Sequence, residues 1–514
     1  MPRYLYTAGS SDQFWEIQRS GASYTITHGR VGTGGRSTTS RFPSEAEAIA
    51  AHDKAIAGKQ AEGYVLAGRT GGKKTIASNK VRTRRVTARK ATGSKTGTKK
   101  ATTTTKKTAG KGYLPAGGPI QRSAPRVARN PDLEAAILAD LDNPEPRLIY
   151  ADWLQGQGDP RGQLIAVQIA RESARGAEAR RLQSAESDLL RDFHAHLVPE
   201  VLREAMDDHQ QRVPERSWEK GRWERGTCEI EWQGGFIDSA YIARYGFGVE
   251  PFTVAERIEA LCKHPSGRFL RELTVGPMGV DDVFYYGRVV DTLAGLELSA
   301  LRTLDLAEFE SEDCELSWCS LGQLGSLWPA VPNLERMRVR GGSFTLGDID
   351  LPRIRRFAVE TGGLDRECME SIARARWPQL EQLEIWFGRS RFGANCTVDD
   401  VLPLLKGEGL GRLTSLGLRN AEFTDDICRA LPGSPIASQL VDLDLSMGTM
   451  SDEGASALAS NRRAFPRLKR LRVADNYLTG ASRERLAGLA RRLDWGFQEN
   501  ADDWDGDRYA SVGE

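Results

Sequence analysis

Between residues 270 and 473 one six-residue pattern, leucine-x-x-leucine-x-leucine or a close variant, returns eight times. The copies are Leu270/Leu273/Val275, Leu301/Leu304/Leu306, Leu334/Met337/Val339, Ile354/Phe357/Val359, Leu380/Leu383/Ile385, Leu413/Leu416/Leu418, Leu440/Leu443/Leu445 and Leu468/Leu471/Val473. Their starts are 31, 33, 20, 26, 33, 27 and 28 residues apart. In an extended segment alternate side chains share a face, so the last two apolar positions of each copy are expected in one core, with the residues between them looking outward. The first leucine is expected before the strand, packed on the preceding copy. Between strands, 424–431 and 451–458 read as helices, each opening on Ser or Thr followed by acids. Neither half can bury its apolar face alone, so the units must stack.

This pattern resembles the leucine-rich repeat family in its long form with a helix per repeat, over roughly the last half of the chain. The resemblance implies a curved solenoid whose parallel strands line the concave side and serve as a platform for another protein. The leucines themselves are core. Protein contacts are expected on outward residues, for which Arg336, Arg338, Arg340, Glu384, Trp386 and Arg412 are the candidates.

A length of 514 residues is too great for one core and suggests three or four domains. No apolar run is long enough to cross a bilayer, and Met1-Pro2-Arg3-Tyr4 does not lead into a signal-peptide core, so a soluble cytoplasmic protein is expected, with no membrane partner. The seven cysteines are odd in number and scattered, which suits reduced core thiols better than a disulfide framework. Cys314 and Cys319 are near neighbours but have no histidine cluster beside them, a poor zinc signature.

The net charge of +1 hides an asymmetry. No acidic residue occurs from position 63 to 131, and residues 69–129 hold ten lysines and eight arginines; eighteen positive charges in a chain of net +1 leave −17 for the rest.

Residues 1–66 alternate polar and apolar like short antiparallel strands, as in Phe14-Trp15-Glu16-Ile17-Gln18 and Tyr24-Thr25-Ile26-Thr27-His28. Turns are expected at Gly21-Ala22 and Gly32-Thr33-Gly34-Gly35, and Pro43-Ser44-Glu45 opens an alanine-rich helix running to about Gly58. At Phe14-Trp15-Glu16-Ile17, His28-Gly29-Arg30-Val31-Gly32 and Gly63-Tyr64 the segment resembles a WGR domain. That family is known from DNA-damage-responsive poly(ADP-ribose) polymerases, where it contacts DNA ends and neighbouring domains, and from many bacterial proteins. Gly29 and Arg30 match its Trp-Gly-Arg motif, while His28 stands where the tryptophan would be. Histidine offers a smaller stacking face, so the resemblance implies phosphate contact by Arg30 or Arg36 beside His28, or else a sheet brace or protein dock.

Residues 67–130 are low in complexity and poor in large apolar side chains, so disorder is expected. Their composition resembles the basic tails of linker histones and of bacterial DNA-compacting proteins. Lys73, Lys74, Arg82, Arg84, Arg85, Lys99, Lys100, Lys106 and Lys107 are candidates for sequence-blind phosphate contact; the other reading is a charged tether.

Order is expected to return at Asn130, a candidate cap, with Pro131 in the first helical turn. Pro146-Arg147-Leu148-Ile149-Tyr150-Ala151-Asp152-Trp153-Leu154 and Gly158-Asp159-Pro160-Arg161-Gly162 closely resemble the repeat-companion domain that precedes leucine-rich repeats in myxobacterial and planctomycete proteins. No activity is implied. Leu148, Tyr150, Trp153 and Leu154 are expected on one helix face, Asp159 is expected to cap a helix or hold Arg161, and 175–210 reads as one charged helix. Residues 226–241 read as a strand or hairpin that begins the array.

Catalytic constellations are sparse. The six histidines are dispersed, the glycine-rich 32–35 lacks a phosphate-loop lysine, and Asp502-Asp503-Trp504-Asp505-Gly506-Asp507 lacks the glycine placement and closing glutamate of an EF-hand. It reads instead as a solvated acidic tail whose charge would suit folding back on the basic stretch. The expected architecture is multidomain. A small α+β WGR-like domain (1–66, antiparallel sheet plus helix) precedes a disordered basic linker (67–130) and a helical cap (131–210). An α/β leucine-rich-repeat solenoid with parallel strands (211–495) and an acidic tail (496–514) follow. The expected function is non-enzymatic interaction with no cofactor or metal: nucleic acid, DNA or RNA, bound by the amino-terminal half and a protein by the solenoid. The alternative is a pure protein adaptor.

Overall fold

The computed structural model describes residues 3–6, 13–21, 23–30, 36–41, 65–66, 127–212, 227–244, 252–278, 285–309, 314–501 and 507–513, with four isolated helical positions at Ile49, His52, Ile56 and Lys59. The chain divides into two compact units, Met1–Arg122 and Ser123–Glu514.

The first unit holds a five-stranded antiparallel sheet, ordered β4-β3-β2-β1-β5. Its strands are β1 (Arg3–Tyr6), β2 (Gln13–Ser20), β3 (Ser23–Arg30), β4 (Arg36–Arg41) and β5 (Val65–Leu66). Gly21, at φ +57°, makes the β2–β3 turn, a left-handed conformation that glycine adopts without steric cost. Trp15, Ile17 and Tyr24 form the core, with Ile26 and the helical Ile56 packed against it.

The second unit opens with helices α1 (Pro131–Ala139), α2 (Pro144–Gly156), α3 (Arg161–Ser173), α4 (Gly176–Asp192), α5 (His194–Leu197) and α6 (Glu200–Arg212). The Asn130 side chain caps α1 by accepting from the Leu133 amide, and Pro131 sits where its missing N–H costs nothing. Two expectations are corrected here. The stretch 175–210 is three helices: the first break falls at Phe193, whose backbone leaves the helical region at φ −113° and ψ 19°, and the second at Pro199, which lacks the N–H a continuous helix needs. On α2, Tyr150 and Leu154 are buried, but Leu148 is 40% exposed beside Ile149 at 53%, and Arg147 takes the buried place instead. Ile137, Tyr150, Leu154 and Ile165 form one core with Phe236 and Phe269 of the array, and the last two rings meet edge to face at 4.6 Å.

The array is an eleven-stranded sheet, parallel throughout except at its first strand. The hairpin β6 (Cys228–Gln233) and β7 (Phe236–Arg244) leads into β8 (Glu272–Met278) and β9 (Thr303–Leu306). A separate parallel pair, β10 (Ser320–Gln323) with β12 (Ser343–Thr345), flanks β11 (Arg336–Arg340) in sequence. Then come β13 (Arg356–Glu360), β14 (Gln382–Gly388), β15 (Ser415–Ala421), β16 (Asp442–Asp444), β17 (Arg470–Arg472) and β18 (Arg492–Asp494).

Register fixes the core, because Leu273, Leu304, Met337, Phe357, Leu383, Leu416, Leu443 and Leu471 align across neighbouring strands in one buried row. The first leucine of each copy is buried as well. Return helices are α7 (Val254–Lys263), α8 (Gly287–Ala294), α9 (Arg366–Arg374), α10 (Val398–Leu405), α11 (Thr424–Ala430), α12 (Asp452–Ser460) and α13 (Gly480–Leu486).

A helix in every repeat is not what the fold provides. Among the described residues, β9 returns to β11 through β10 and three short 3₁₀ turns, and β11 returns to β13 through β12. Gly322, Gly325, Pro329, Gly341, Gly342, Gly347 and Pro352 crowd these connections, and both residue types disfavour helix. Capping also differs in detail. Ser451 caps α12, whereas Thr424 lies inside α11 and its hydroxyl donates to the Ala421 carbonyl at 2.7 Å.

Candidate recognition surfaces

The residues between the buried ones form an open sheet face. Parallel register sets Asp305 beside Arg338, Arg340 beside Glu360, and Asp444 beside Arg472. Opposite charges therefore meet across strands: Arg338–Asp305 at 2.6 Å, Arg340–Glu360 at 3.5 Å, Arg419–Glu384 at 2.6 Å, Arg472–Asp444 at 2.7 Å and Arg470–Asp494 at 2.5 Å. Cross-strand opposite charges stabilise a sheet modestly and hold long side chains in place. Partial burial raises the carboxyls of Asp305, Glu360 and Asp442 from their ordinary values, with the neighbouring arginines pulling the other way. At the edge of the sheet Asp494 is lowered instead, chiefly by its hydrogen bond from Arg492.

The sequence candidates fall unevenly on this face. Arg338, Arg340 and Glu384 are paired, and Arg340 also stacks on Phe309 at 4.9 Å. The Trp386 indole donates to Glu384 at 2.8 Å, and the Arg419 guanidinium lies 5.0 Å from its ring centre, so the aromatic is clamped. Arg336 is exposed at the start of β11. Arg412 is a correction: it lies in the turn before Leu413, outside β15, and so takes no place in the strand rows.

Of the nucleic-acid candidates, His28 is half-buried, opposite Trp15 on β2 and Arg36 on β4. Arg30 and Arg36 are placed by their backbones alone. Lys73, Lys74, Arg82, Arg84, Arg85, Lys99, Lys100, Lys106 and Lys107 lie outside the described residues, as do the turn at 32–35 and the acidic residues 502–506.

A polar cluster joins the helical cap to the array, and sequence spacing gave no sign of all its members. Asp159 holds Arg161, accepting from its amide at 3.0 Å and from Nη2 at 2.6 Å, and both residues are buried. His196 Nε2 lies 3.2 Å from the same carboxylate. Burial works to raise the Asp159 carboxyl, but hydrogen bonds from His196 and Arg161 win and hold it well below the usual range. His264 is pushed down to about 4 by burial and then by the Arg161 and His196 charges, with Asp159 opposing. Asp159 and Arg161 are buried while His196 and His264 are half-buried around them.

Among the described residues no three His, Cys, Asp or Glu side chains gather as a metal site. All seven cysteines are free thiols; the Cys314 thiol donates to the Glu315 carbonyl at 3.2 Å and the Cys319 thiol to the Arg340 carbonyl at 3.7 Å. No described helix is long and apolar enough to cross a membrane.

The second surface was not foreseen. At the carboxyl ends of β14–β17 and in the loops that follow, Gly388, Asn420, Met447 and Asp475 have left-handed backbone conformation, at φ +79°, +56°, +69° and +54°. Residues 507–513 lie across these loops. Asn420 donates to the Val512 carbonyl at 2.6 Å and accepts from its amide at 2.9 Å. The Ser511 amide donates to the Met447 carbonyl at 2.8 Å, and Arg389 donates to the Ala510 carbonyl at 2.5 Å. The Tyr477 hydroxyl accepts from the Tyr509 amide at 2.9 Å and donates to its carbonyl at 3.1 Å. Arg508 reaches Asp425 at 3.1 Å and the Thr449 carbonyl at 2.6 Å.

These features define a chain with a small antiparallel domain and a parallel-strand repeat array carrying two polar surfaces. Comparison with known families makes the first part specific: residues 3–71 match the WGR domain. A protein of Bacteroides fragilis aligns with 100% of this chain and 99% of its own, at 15% identity and a TM-score of 0.47. An internalin of Listeria monocytogenes str. 4b F2365 aligns over 48% of this chain and 67% of its own, at 15% identity and a TM-score of 0.26. TLR13, in a complex with ssRNA13, aligns over 52% of this chain and only 38% of its own, at 14% identity and a TM-score of 0.26. At such scores the fold rests on the strand register described above. No curated protein matches the sequence.

Proposed function

We propose that this is a non-enzymatic modular interaction protein, in which the WGR domain and the basic stretch after it contact nucleic acid while the repeat array binds a protein. The observation that carries the reading is the order of parts: a WGR match over residues 3–71, then seventeen cations and no acid from residue 72 to 129, then a stacked sheet with an open polar face. Cations spaced along a chain release counterions from a phosphate backbone without reading bases. Arg30, on the same strand as His28, and Arg36, opposite His28 on β4, would add contacts from the folded domain. The wording of 146–162 supports a repeat-companion segment of bacterial type, and a cytoplasmic, nucleoid-associated location follows from the same reading.

The test is binding of the full chain, and of a chain lacking residues 67–126, to duplex, nicked and single-stranded DNA across a salt series. Six or more phosphate contacts in the basic stretch predict a fall of about 1,000-fold or more in affinity between about 50 and 200 mM salt, lost with the deletion. Preference of the deleted chain for nicks or ends would place recognition in the WGR domain. No binding by either form at low salt refutes the nucleic-acid role and leaves the protein-adaptor reading, which His28 in the tryptophan's place favours.

A further inference from the structure

The loops at the carboxyl ends of β13–β17 hold residues 507–513 in the way a recognition site holds a peptide. The contacts are to main chain: the amide and carbonyl of Tyr509, Ser511 and Val512 and the carbonyl of Ala510 all have partners, drawn from Arg389, Asn420, Met447 and Tyr477 on four successive loops. Backbone hydrogen bonding with pockets for particular side chains is how extended peptides are read. Arg508 is fixed between a carboxylate and a carbonyl. Ala510 has no exposed surface, so nothing larger fits there. A Cβ on Gly513 would come within 2.4 Å of the Phe392 ring.

The same contacts distinguish a lodged segment from a core one. Ala510 is the one fully buried apolar side chain in 507–513, Val512 is half-buried and Tyr509 is 39% exposed. The hold is therefore mainly polar, and water can replace polar contacts at little net cost. A cavity of about 290 Å³, lined by Arg389, Arg391, Phe392 and residues 511–513, adjoins the segment and leaves room beside it.

We propose that these loops form a groove for an extended peptide, that residues 507–513 are its resident occupant, and that a partner protein enters by displacing them. The partner segment carries the same spacing: arginine, any residue, alanine, serine, valine, glycine. This site is separate from the charged open face and does not depend on what that face binds.

The probe is a fluorescein-labelled synthetic peptide with the sequence of residues 507–514, followed by anisotropy. A chain ending at Gly506 is expected to bind it saturably, and the full chain at least about tenfold more weakly, because its groove is filled. Asn420→Ala in the shortened chain, removing two hydrogen bonds to the main chain of one residue, is expected to weaken binding at least about tenfold. Should the shortened chain fail to fold, the full chain with Ala510→Trp, which expels the resident segment, takes its place with the same expectations. A folded, emptied chain that does not bind overturns the proposal, as does binding indifferent to Asn420→Ala. Loss of cooperative unfolding in both variants marks 507–513 as a fixed part of the fold and also overturns it. A full chain that sediments as a dimer, dissociating as the free peptide binds, assigns the groove to a second copy and overturns the separate partner.

Discussion

His264 reports on how the fold changes the chemistry of a side chain that looks unremarkable in sequence. It follows α7, 68 residues after His196 and 105 after Asp159, and no spacing rule connects the three. Packing the cap on the first repeat brings them together with Arg161, and burial first, then the neighbouring positive charge, favours neutral imidazole, with a pKa of about 4. The unfolded chain then binds the proton more readily between about 6.5 and 4. Stability from this residue is complete above pH 6.5 and is lost as pH falls toward 4. Urea midpoints of the full chain should decline over that window, and His264→Asn should flatten the decline. An unchanged slope in the variant would show that His264 does not carry it.

Elements divide into those whose sequence period decides them and those decided by breakers and distant partners. The parallel strands were readable because each copy repeats two inward positions two residues apart, and eight copies in phase leave no other way to bury them. Leu416, fully buried in the central row, should lose about 2 to 5 kcal/mol on substitution by alanine, from transfer and cavity terms together. Leu148, an equally apolar residue on α2 but 40% exposed, should lose well under half as much as Leu416 in the same unfolding assay. Equal losses would mean that Leu148 is covered in solution. The missing helices between β9 and β13, and the second break in 175–210 at Pro199, turned on individual glycines and prolines that a periodic reading passes over. The groove at the strand ends was invisible because residues 507–513 meet loops 32 to 122 residues upstream through main-chain contacts, which composition does not record.

Across the whole molecule, charge is arranged in two contrasting ways. On the array's open face Arg338, Arg340, Arg419, Arg470 and Arg472 each have an acid across the strand and the pairs are partly buried, so salt screens them weakly and should move the array's unfolding midpoint little. The basic stretch has no acids within it, and any affinity it confers should fall steeply with the same salt. Parallel titrations of stability and DNA binding from about 50 to 200 mM salt should therefore separate, the first nearly flat and the second steep. A steep stability curve would mean that the face's ion pairs matter more to the fold than their exposure suggests.

The direction of β6 sets a limit on how such an array can change over time. In the eleven-stranded sheet every strand after β6 runs the same way, and β6 alone is reversed. A duplicated repeat arriving ahead of β6 would meet a strand pointing the wrong way and could not continue the aligned leucine row. Gene duplication can therefore lengthen this protein among its later repeats or beyond β18, while the junction with the helical cap stays as it is, however many copies accumulate.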